Sequence, residues 1–558
     1  MTGRAGILVA GLLILLTGLV YLPSLWGGYV YDDHRFVRLN PAVTDGVALS
    51  CYFTEPATQT VDGSFGGLYR PVRTLSFRAV ALVSKGPAGQ RIAGLLIHLT
   101  NGFLLWVLLR RLLGDGPAYP PLLGALAFLL HPLATESVAW ISSRGDLLAM
   151  TGILGGLVFH LAGGRAARLV SLLFFALGLL SKESAVVLPF LLMVVDGFRF
   201  GASGVRAGIR SYVPYLVVLG LYFTVRYLVL GAGHFGQGEG LGLTGMDLLA
   251  SVMAGEVYYV AATLFPWWLS FELDLAATAV PATLGFFAVV VLLIAAVRLR
   301  HSARLITLAI LWFLVALIPV TVLQFALPLK IEVANRFAYP ALAAIGMLLA
   351  FVATRCRPAP LLAVIVLAAF VPLSVARAAA FHDEAGLWQD VLKAQPGHGR
   401  ALYGLGFVEF ERRDFVAARE YLARAAGTDA SDPKVAYFLG QACSELMARS
   451  PVGSAAFRKH LGEARSAYRA ALKLWVGGAK SGRGLFRSVA LDAAWLAMIA
   501  GDPDLAAMNV EIMLQADGAL ERSDRTVRHL EDLSRFLEQV RYPELAAELN
   551  RQARAPRN

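Results

Sequence analysis

The stretch GGYVYDDHRFVRLNP, residues 27–41, sets two adjacent carboxylates, Asp32 and Asp33, among aromatic neighbours directly after a long apolar run. A carboxylate partly sunk in apolar surroundings beside cations suits general-base activation of a hydroxyl next to an anionic leaving group. Partners for such a group recur further along the chain. LYRPVRTLSF carries Tyr69 and Arg70, and HPLATESVAWISSRGDLLAM carries His131, Glu136, Arg144 and Asp146. SKES carries Lys182 and Glu183, and NRFAYP carries Arg336. Adjacent side chains diverge by about 100° on a helix and about 180° on a strand, so one aspartate faces a site squarely while the other raises the pair's pKa or orients the loop. Position alone does not choose between them; Asp32 is the preferred base, with Asp33 close behind.

Each candidate has a plainer reading. Asp32 and Asp33 could be solvated loop acids, and Arg144 with Asp146, or Lys182 with Glu183, could form structural pairs. His131, which precedes Pro132, reads as a packing histidine as readily as a substrate contact, and His98 in LLIHLTNGF has the same character. Arg336 could anchor a helix end by extending its head towards the interface.

The elements that must position these residues are membrane helices. Of 558 residues, 57% are hydrophobic and 16% charged, too apolar for an ordinary soluble enzyme. Basic residues gather in short connections, such as Arg110 and Arg111, Arg165 and Arg168, or Arg298, Arg300 and Arg304. Placing these connections in the cytoplasm predicts eleven spans at about 6–26, 91–112, 119–134, 146–162, 168–182, 184–198, 211–230, 281–298, 304–325, 337–355 and 359–377. The first is read as a retained span and not a cleaved signal. Residues 27–90 and 231–280 become external loops, the second holding an amphipathic or re-entrant helix near 247–265. Residues 169–196 fold back as a helical hairpin whose arms reach only about 20 Å, leaving Lys182 and Glu183 recessed in the bilayer. A recessed charge is costly unless paired or engaged with a ligand. The polar apices and the aspartates converge on one outward-facing cavity.

From residue 381 the character changes to a soluble helical array. Gly406 and Gly440 lie 34 residues apart, the period of a tetratricopeptide helix pair, and Ala418, Leu422 and Ala425 take its packing positions. A second unit carries an insertion around RSPVGSAAF, and a third is degenerate. The fold class is thus mostly α: a polytopic membrane domain, 1–380, followed by an extracytoplasmic repeat domain, 381–558.

Several classes are excluded. The net charge of +11 records loop topology and not a nucleic-acid partner. No phosphate-binding G-x-x-x-x-G-K-[ST] loop occurs, and the three cysteines, Cys51, Cys356 and Cys443, show no metal or disulfide spacing.

YDDHRFVRLNP, YRPVRTLSF, HPLATESVAWISSRGDLLA, SKES and NRFAYP, in this order and followed by repeats, resemble the transmembrane and tetratricopeptide-repeat O-mannosyltransferases and their bacterial relatives, members of the GT-C glycosyltransferases. The resemblance covers nearly the whole chain. It implies a GT-C-like membrane domain that inverts the anomeric centre of a sugar drawn from a polyprenyl-phosphate donor, with no cofactor and no metal. It makes Asp32 or Asp33 the base, and Arg144, Lys182 and Arg336 contacts to the donor phosphate or sugar. Glu136, Asp146 and Glu183 are left without a fixed role. The acceptor is expected to be Ser or Thr hydroxyls of proteins, engaged by the repeats, at the outer face of a bacterial cytoplasmic membrane. A lipid or polysaccharide acceptor, and a non-catalytic scaffold recruiting partners through its repeats, are the alternatives.

Overall fold

A computed structural model describes residues 3–61, 67–231, 245–273, 282–326, 333–355, 359–428, 432–476, 483–515, 524–540 and 542–554. Among them the only β pairing is an isolated bridge between Leu273 and Val333; the rest is helix and loop.

The first apolar run forms α1 (Gly3–Leu25), and the loop after it holds two single-turn helices, α2 (Pro41–Thr44) and α3 (Cys51–Thr54), before α4 (Pro71–Ala81). Pro71 starts α4 at the position where a missing N–H costs nothing, and Arg73, Thr74 and Phe77 form its buried face. Then come α5 (Pro87–Leu113), α6 (Tyr119–Leu130), the short α7 (Ala134–Ala139) and α8 (Arg144–Ala162). Helices α5, α6 and α8 pack on one another in series, and α6 also packs on α15 (Ala343–Ala353). At the α6–α15 crossing a side chain on Gly124 would lie 2.5 Å from the Gly346 carbonyl oxygen, so both glycines are needed for that approach.

The 169–196 segment breaks where expected. Helix α9 (Arg165–Leu179) stops, Lys182 is extended (φ −162°, ψ 144°), and a 3₁₀ turn at Glu183–Val187 leads into α10 (Leu188–Ala207). The two arms do not stack as a simple hairpin, however: α9 packs on α8 and α11 (Ile209–Leu230), and α10 on α11 and α14 (Arg304–Ala326). A larger correction concerns 231–280. Residues 232–244 and 274–281 lie outside the described residues, but α12 (Gly245–Leu264) packs on α13 (Ala282–Leu299) and α14 and is no surface helix. Its Glu256 is buried and accepts a hydrogen bond from the Thr321 hydroxyl (2.8 Å), which offsets part of the cost of burying that carboxyl.

Among the described residues seven helices are long and apolar enough to cross a membrane: Pro87–Leu113, Ile141–Ala162, Glu183–Gly201, Ile209–Leu230, Arg304–Thr321, Asn335–Ala353 and Pro360–Ala380. Four shorter apolar helices accompany them, at Gly11–Leu25, Tyr119–Leu130, Val252–Leu264 and Thr283–Leu299. The last membrane helix, α16 (Ala359–Ala380), packs along α1, so the chain re-emerges beside the aspartate loop.

The chain divides into two units, Met1–Asp390 and Val391–Asn558. The division falls ten residues beyond 380, within α17 (Glu384–Ala394), because Trp388 on its first half stacks against Tyr31 and Phe271 of the membrane unit. In the second unit four helix pairs follow: α18 (Gly399–Glu411) with α19 (Phe415–Thr428), α20 (Pro433–Ala448) with α21 (Ala455–Val476), α22 (Arg483–Ile499) with α23 (Pro503–Gln515), and α24 (Asp524–Gln539) with α25 (Pro543–Arg554). This is a tetratricopeptide-like array. Ala418, Leu422 and Ala425 are fully buried, and a side chain on Gly406 would lie 2.6 Å from Leu422. The third pair is regular, and a fourth, absent from the sequence reading, packs on it.

Candidate functional site

The aspartate loop is held in an unusual backbone conformation. Tyr31 has φ 50°, a left-handed value rare for a large side chain. Its ring is fixed by Trp388, Phe271 and Trp140, with centroids 5.4, 5.8 and 6.0 Å away. A five-residue π-helix, His34–Arg38, follows immediately. Below the loop the buried Arg91 guanidinium donates to the carbonyls of Ser24 (2.7 Å), Gly28 (2.6 Å), Phe381 (2.7 Å) and Ala139 (3.2 Å). One cation thereby ties the end of α1, the loop, the α7 apex and the exit of α16 together. A side chain on Gly27 would collide with the His382 carbonyl and with Arg91, which explains the glycine there.

The two aspartates are not equivalent. Asp33 is fully buried; its Oδ1 accepts from the Ser142 amide (2.8 Å) and hydroxyl (2.6 Å), and its Oδ2 from the Val30 amide (3.2 Å). It fastens the loop to the apex before α8. Asp32 is partly exposed and, among the described residues, its carboxylate receives no hydrogen bond. Burial pushes its pKa up to about 6, against the pull of Arg336, Arg35 and Arg73 and with a further push from Glu272. Asp33 is also raised to about 6 by burial, opposed by Ser142, Val30 and Arg91.

Around Asp32 the predicted charges form a lattice whose pairs link distant segments. Lys182 Nζ meets Asp146 Oδ1 at 2.5 Å, and Arg70 donates through Nε (3.1 Å) and Nη2 (2.9 Å) to Glu183 Oε2. Arg226 on α11 reaches Glu183 Oε1 (3.4 Å) and the Gly67 carbonyl (2.9 Å). Arg336 meets Glu136 at 2.5 Å, with its guanidinium 4.9 Å from the Trp140 and Phe337 ring centroids. The structural pairs envisaged from sequence, Arg144 with Asp146 and Lys182 with Glu183, are therefore exchanged for cross-segment ones. Side chains two apart, or adjacent, point in different directions, whereas folding brings the apices face to face.

Three candidates lie apart from this lattice. Arg144 is buried and donates to the carbonyls of Gln90 (2.5 Å) and Ser76 (3.3 Å) beneath the Phe77 ring. It holds α4 and α5 to the apex, and its Nε has no partner among the described residues. His131 bonds the Thr263 carbonyl (3.0 Å) and the Leu133 amide (3.1 Å) and stacks edge-on to Phe370, a packing histidine. Tyr69 is buried and donates to the Phe53 carbonyl (3.0 Å), a loop anchor.

Sequence reading passed over Arg73. It is 1% exposed on the inner face of α4, its guanidinium lies 4.3 Å from the Phe36 ring centroid, and among the described residues its Nε and Nη2 have no hydrogen-bond partner. Asp32, Asp146, Glu183 and Arg70 all act on it electrostatically. Burial lowers its pKa to about 9, so the cation persists at neutral pH. A buried guanidinium with unpartnered nitrogens among carboxylates is a fork open to an anion. The signal was available: Arg73 stands three residues after Arg70 in YRPVRTLSF. Arg226, a lone cation within an apolar span, carried a signal of its own. Among the described residues no three His, Cys, Asp or Glu side chains converge as a metal-binding group.

The chain was compared with known proteins. No family model matches it. Tmtc2 of Drosophila melanogaster, a protein O-mannosyl-transferase, is 30% identical over 224 residues, 37% of this chain and 23% of that protein. Tmtc1 of the same organism is 32% identical over 178 residues, 30% of this chain and 20% of that protein. The chain is a relative of these protein O-mannosyl-transferases. A longer match, 22% identical over 430 residues, covers 71% of this chain and 59% of the protein O-mannosyl-transferase F38B6.6 of Caenorhabditis elegans. The chain thus spans less than two thirds of each of these relatives. Among solved structures, MamA and the tetratricopeptide protein TTC0263 of Thermus thermophilus overlap 30% and 33% of the chain at 16% identity and a TM-score of 0.23, too slight a likeness to bear on function.

Proposed function

We propose that the chain is an inverting membrane glycosyltransferase of the GT-C type, moving a sugar from a polyprenyl-phosphate donor to Ser or Thr hydroxyls of proteins outside the cytoplasm. Mannose is the sugar suggested by the relatives' names. The observation that carries the reading is that Asp32, whose carboxylate receives no hydrogen bond among the described residues, acts electrostatically on the buried Arg73 guanidinium, whose Nε and Nη2 have no partner among those residues, beside a set of cross-segment ion pairs.

In this reading Asp32 accepts the proton of the acceptor hydroxyl as its oxygen bonds to the anomeric carbon. The bond from that carbon to the phosphate oxygen breaks on the opposite face, and the phosphate leaves with the electron pair. Arg73 receives the growing charge through Nε and Nη2, assisted by Arg336 and Lys182. Glu136 and Asp146 hold those two cations in place, and Glu183 holds Arg70. Asp33 keeps the loop in register and takes no proton. The lipid tail stays in the bilayer, which fits a site recessed between apolar helices, and the repeats are assigned to protein acceptors.

The test uses purified protein in lipid nanodiscs with a polyprenyl-phosphate mannose and a Ser/Thr-rich peptide, reading sugar on the peptide by mass spectrometry. Asp32→Asn is expected to lower transfer by about 10³-fold with an unchanged unfolding profile. Asp33→Asn is expected to lower the unfolding midpoint, while its folded fraction still turns over. Full transfer by Asp32→Asn would remove the base from the mechanism.

A further inference from the structure

Away from the membrane unit, a cavity of about 350 Å³ opens between α21 and α23, the second helices of adjacent repeat pairs. Arg465, Arg469 and Lys473 stand along one wall at successive i, i+4 positions of α21. The floor and opposite wall are mostly apolar, formed by Leu505, Met508 and Ile512 of α23 beside Asn509, with Leu472 and Ala493 below. Met508 is 49% exposed.

Most of the charge on this wall has no ion-pair partner among the described residues. Several cations elsewhere in the unit meet acids: Arg419 with Glu463 (2.6 Å), Arg525 with Glu445 (3.2 Å), Arg535 with Asp532 (2.6 Å) and Arg551 with Glu548 (2.5 Å). Arg465 makes one long, exposed contact to Asp502 (3.4 Å), whereas Arg469 and Lys473 have no ion pair among the described residues. Of the acids on α23, Asp504 accepts from the Tyr542 hydroxyl (2.7 Å) and Glu511 lies near the same tyrosine, so neither lines the cavity. A groove with an apolar floor and one cationic wall complements a helix that carries acids along one edge of an apolar stripe.

We infer that the α21–α23 groove is a docking site for an acidic, amphipathic helical segment of a partner protein, with carboxylates on Arg469 and Lys473 and apolar side chains on Leu505, Met508 and Ile512. It is separate from the surface formed by the first helices of the pairs, and it does not depend on the transferase reading.

The experiment measures binding of two fluorescein-labelled peptides to the full chain in zwitterionic nanodiscs. One peptide is a helix with Glu at every fourth position beside a Leu row; the other has Lys in place of each Glu. The Glu peptide is expected to bind the native chain and the Lys peptide to fail. In the double variant Arg469→Glu/Lys473→Glu the affinity for the Glu peptide is expected to fall at least about tenfold while the Lys peptide gains binding. Met508→Glu is expected to weaken the Glu peptide without rescuing the Lys peptide. All three residues are exposed or line the groove, so an unchanged unfolding profile should accompany these effects. Equal binding of the Glu peptide by native and reversed chains would overturn the proposal. So would capture of phosphatidylglycerol vesicles through Arg469 and Lys473 with no peptide binding, which would make the wall a lipid contact.

Discussion

The short-range, exposed ion pairs of the repeat unit differ in kind from those that join the polar apices of the membrane unit. In the repeat unit three of them, Arg412–Glu409, Arg535–Asp532 and Arg551–Glu548, join residues one helical turn apart on exposed faces. In the membrane unit Arg336–Glu136 and Arg70–Glu183 join residues 200 and 113 positions apart, and Lys182–Asp146 joins two apices. Exposed pairs gain little, because water solvates either partner as well as they solvate each other. Pairs withdrawn from water cannot be opened without stranding a charge. A chain that keeps several of these is holding cations such as Arg336 and Lys182 in fixed positions. The repeat unit shows the converse on α21, where Arg469 and Lys473 are exposed and have no ion pair among the described residues.

The sharpest test of this contrast is Glu136→Gln. Its side chain is wholly buried, and neutralising it leaves Arg336 unpaired, so a loss of about 3–5 kcal/mol is expected in equilibrium unfolding by denaturant. A loss too small to measure would place water around this pair and weaken the comparison. Next is Arg73→Gln. Since this guanidinium has no ion pair to lose, stability should change little while transfer falls about 10²-fold, mainly in kcat, as expected for a group that meets charge only in the transition state. A variant that fails to fold would make Arg73 a packing cation.

The pH dependence follows from Asp32. Its pKa is raised to about 6, and the base works only when deprotonated. Activity should therefore be full above roughly pH 7 and fall about tenfold per unit as pH drops through and below 6. A profile flat down to pH 5 would separate Asp32 from the proton transfer. At the small end, Arg535→Ala in the repeat unit should leave the unfolding midpoint within measurement error, since its pair is one turn apart and its side chain is 71% exposed. A measurable drop there would show that the two kinds of pair differ less than their burial suggests.

The amino-acid sequence by itself determined the class of the molecule. Apolar runs long enough for a bilayer, basic connections between them and a 34-residue glycine spacing are local properties, readable because helix period and hydrocarbon thickness are fixed lengths. It also marked which stretches are candidates for chemistry, since an ionisable group in or beside an apolar run is costly and so stands out: Asp32, Asp33, Lys182 and Glu183 were visible for that reason. What each residue does was decided only in three dimensions. Asp33 and Asp32 are neighbours with the same side chain, yet one is taken up by Ser142 and Val30 and the other is left open. Arg144 and Arg73 are both buried arginines, yet one donates to the carbonyls of Gln90 and Ser76 and leaves only its Nε without a partner, while both Nε and Nη2 of the other have none among the described residues. The exchange of pairs among Arg70, Asp146, Lys182 and Glu183, and the burial of α12 with Glu256 held by Thr321, depend on helices far apart in the chain. Hydrogen bonds and Coulomb forces act over a few ångströms, so their partners are set by how the helices pack, which spacing along the chain does not encode.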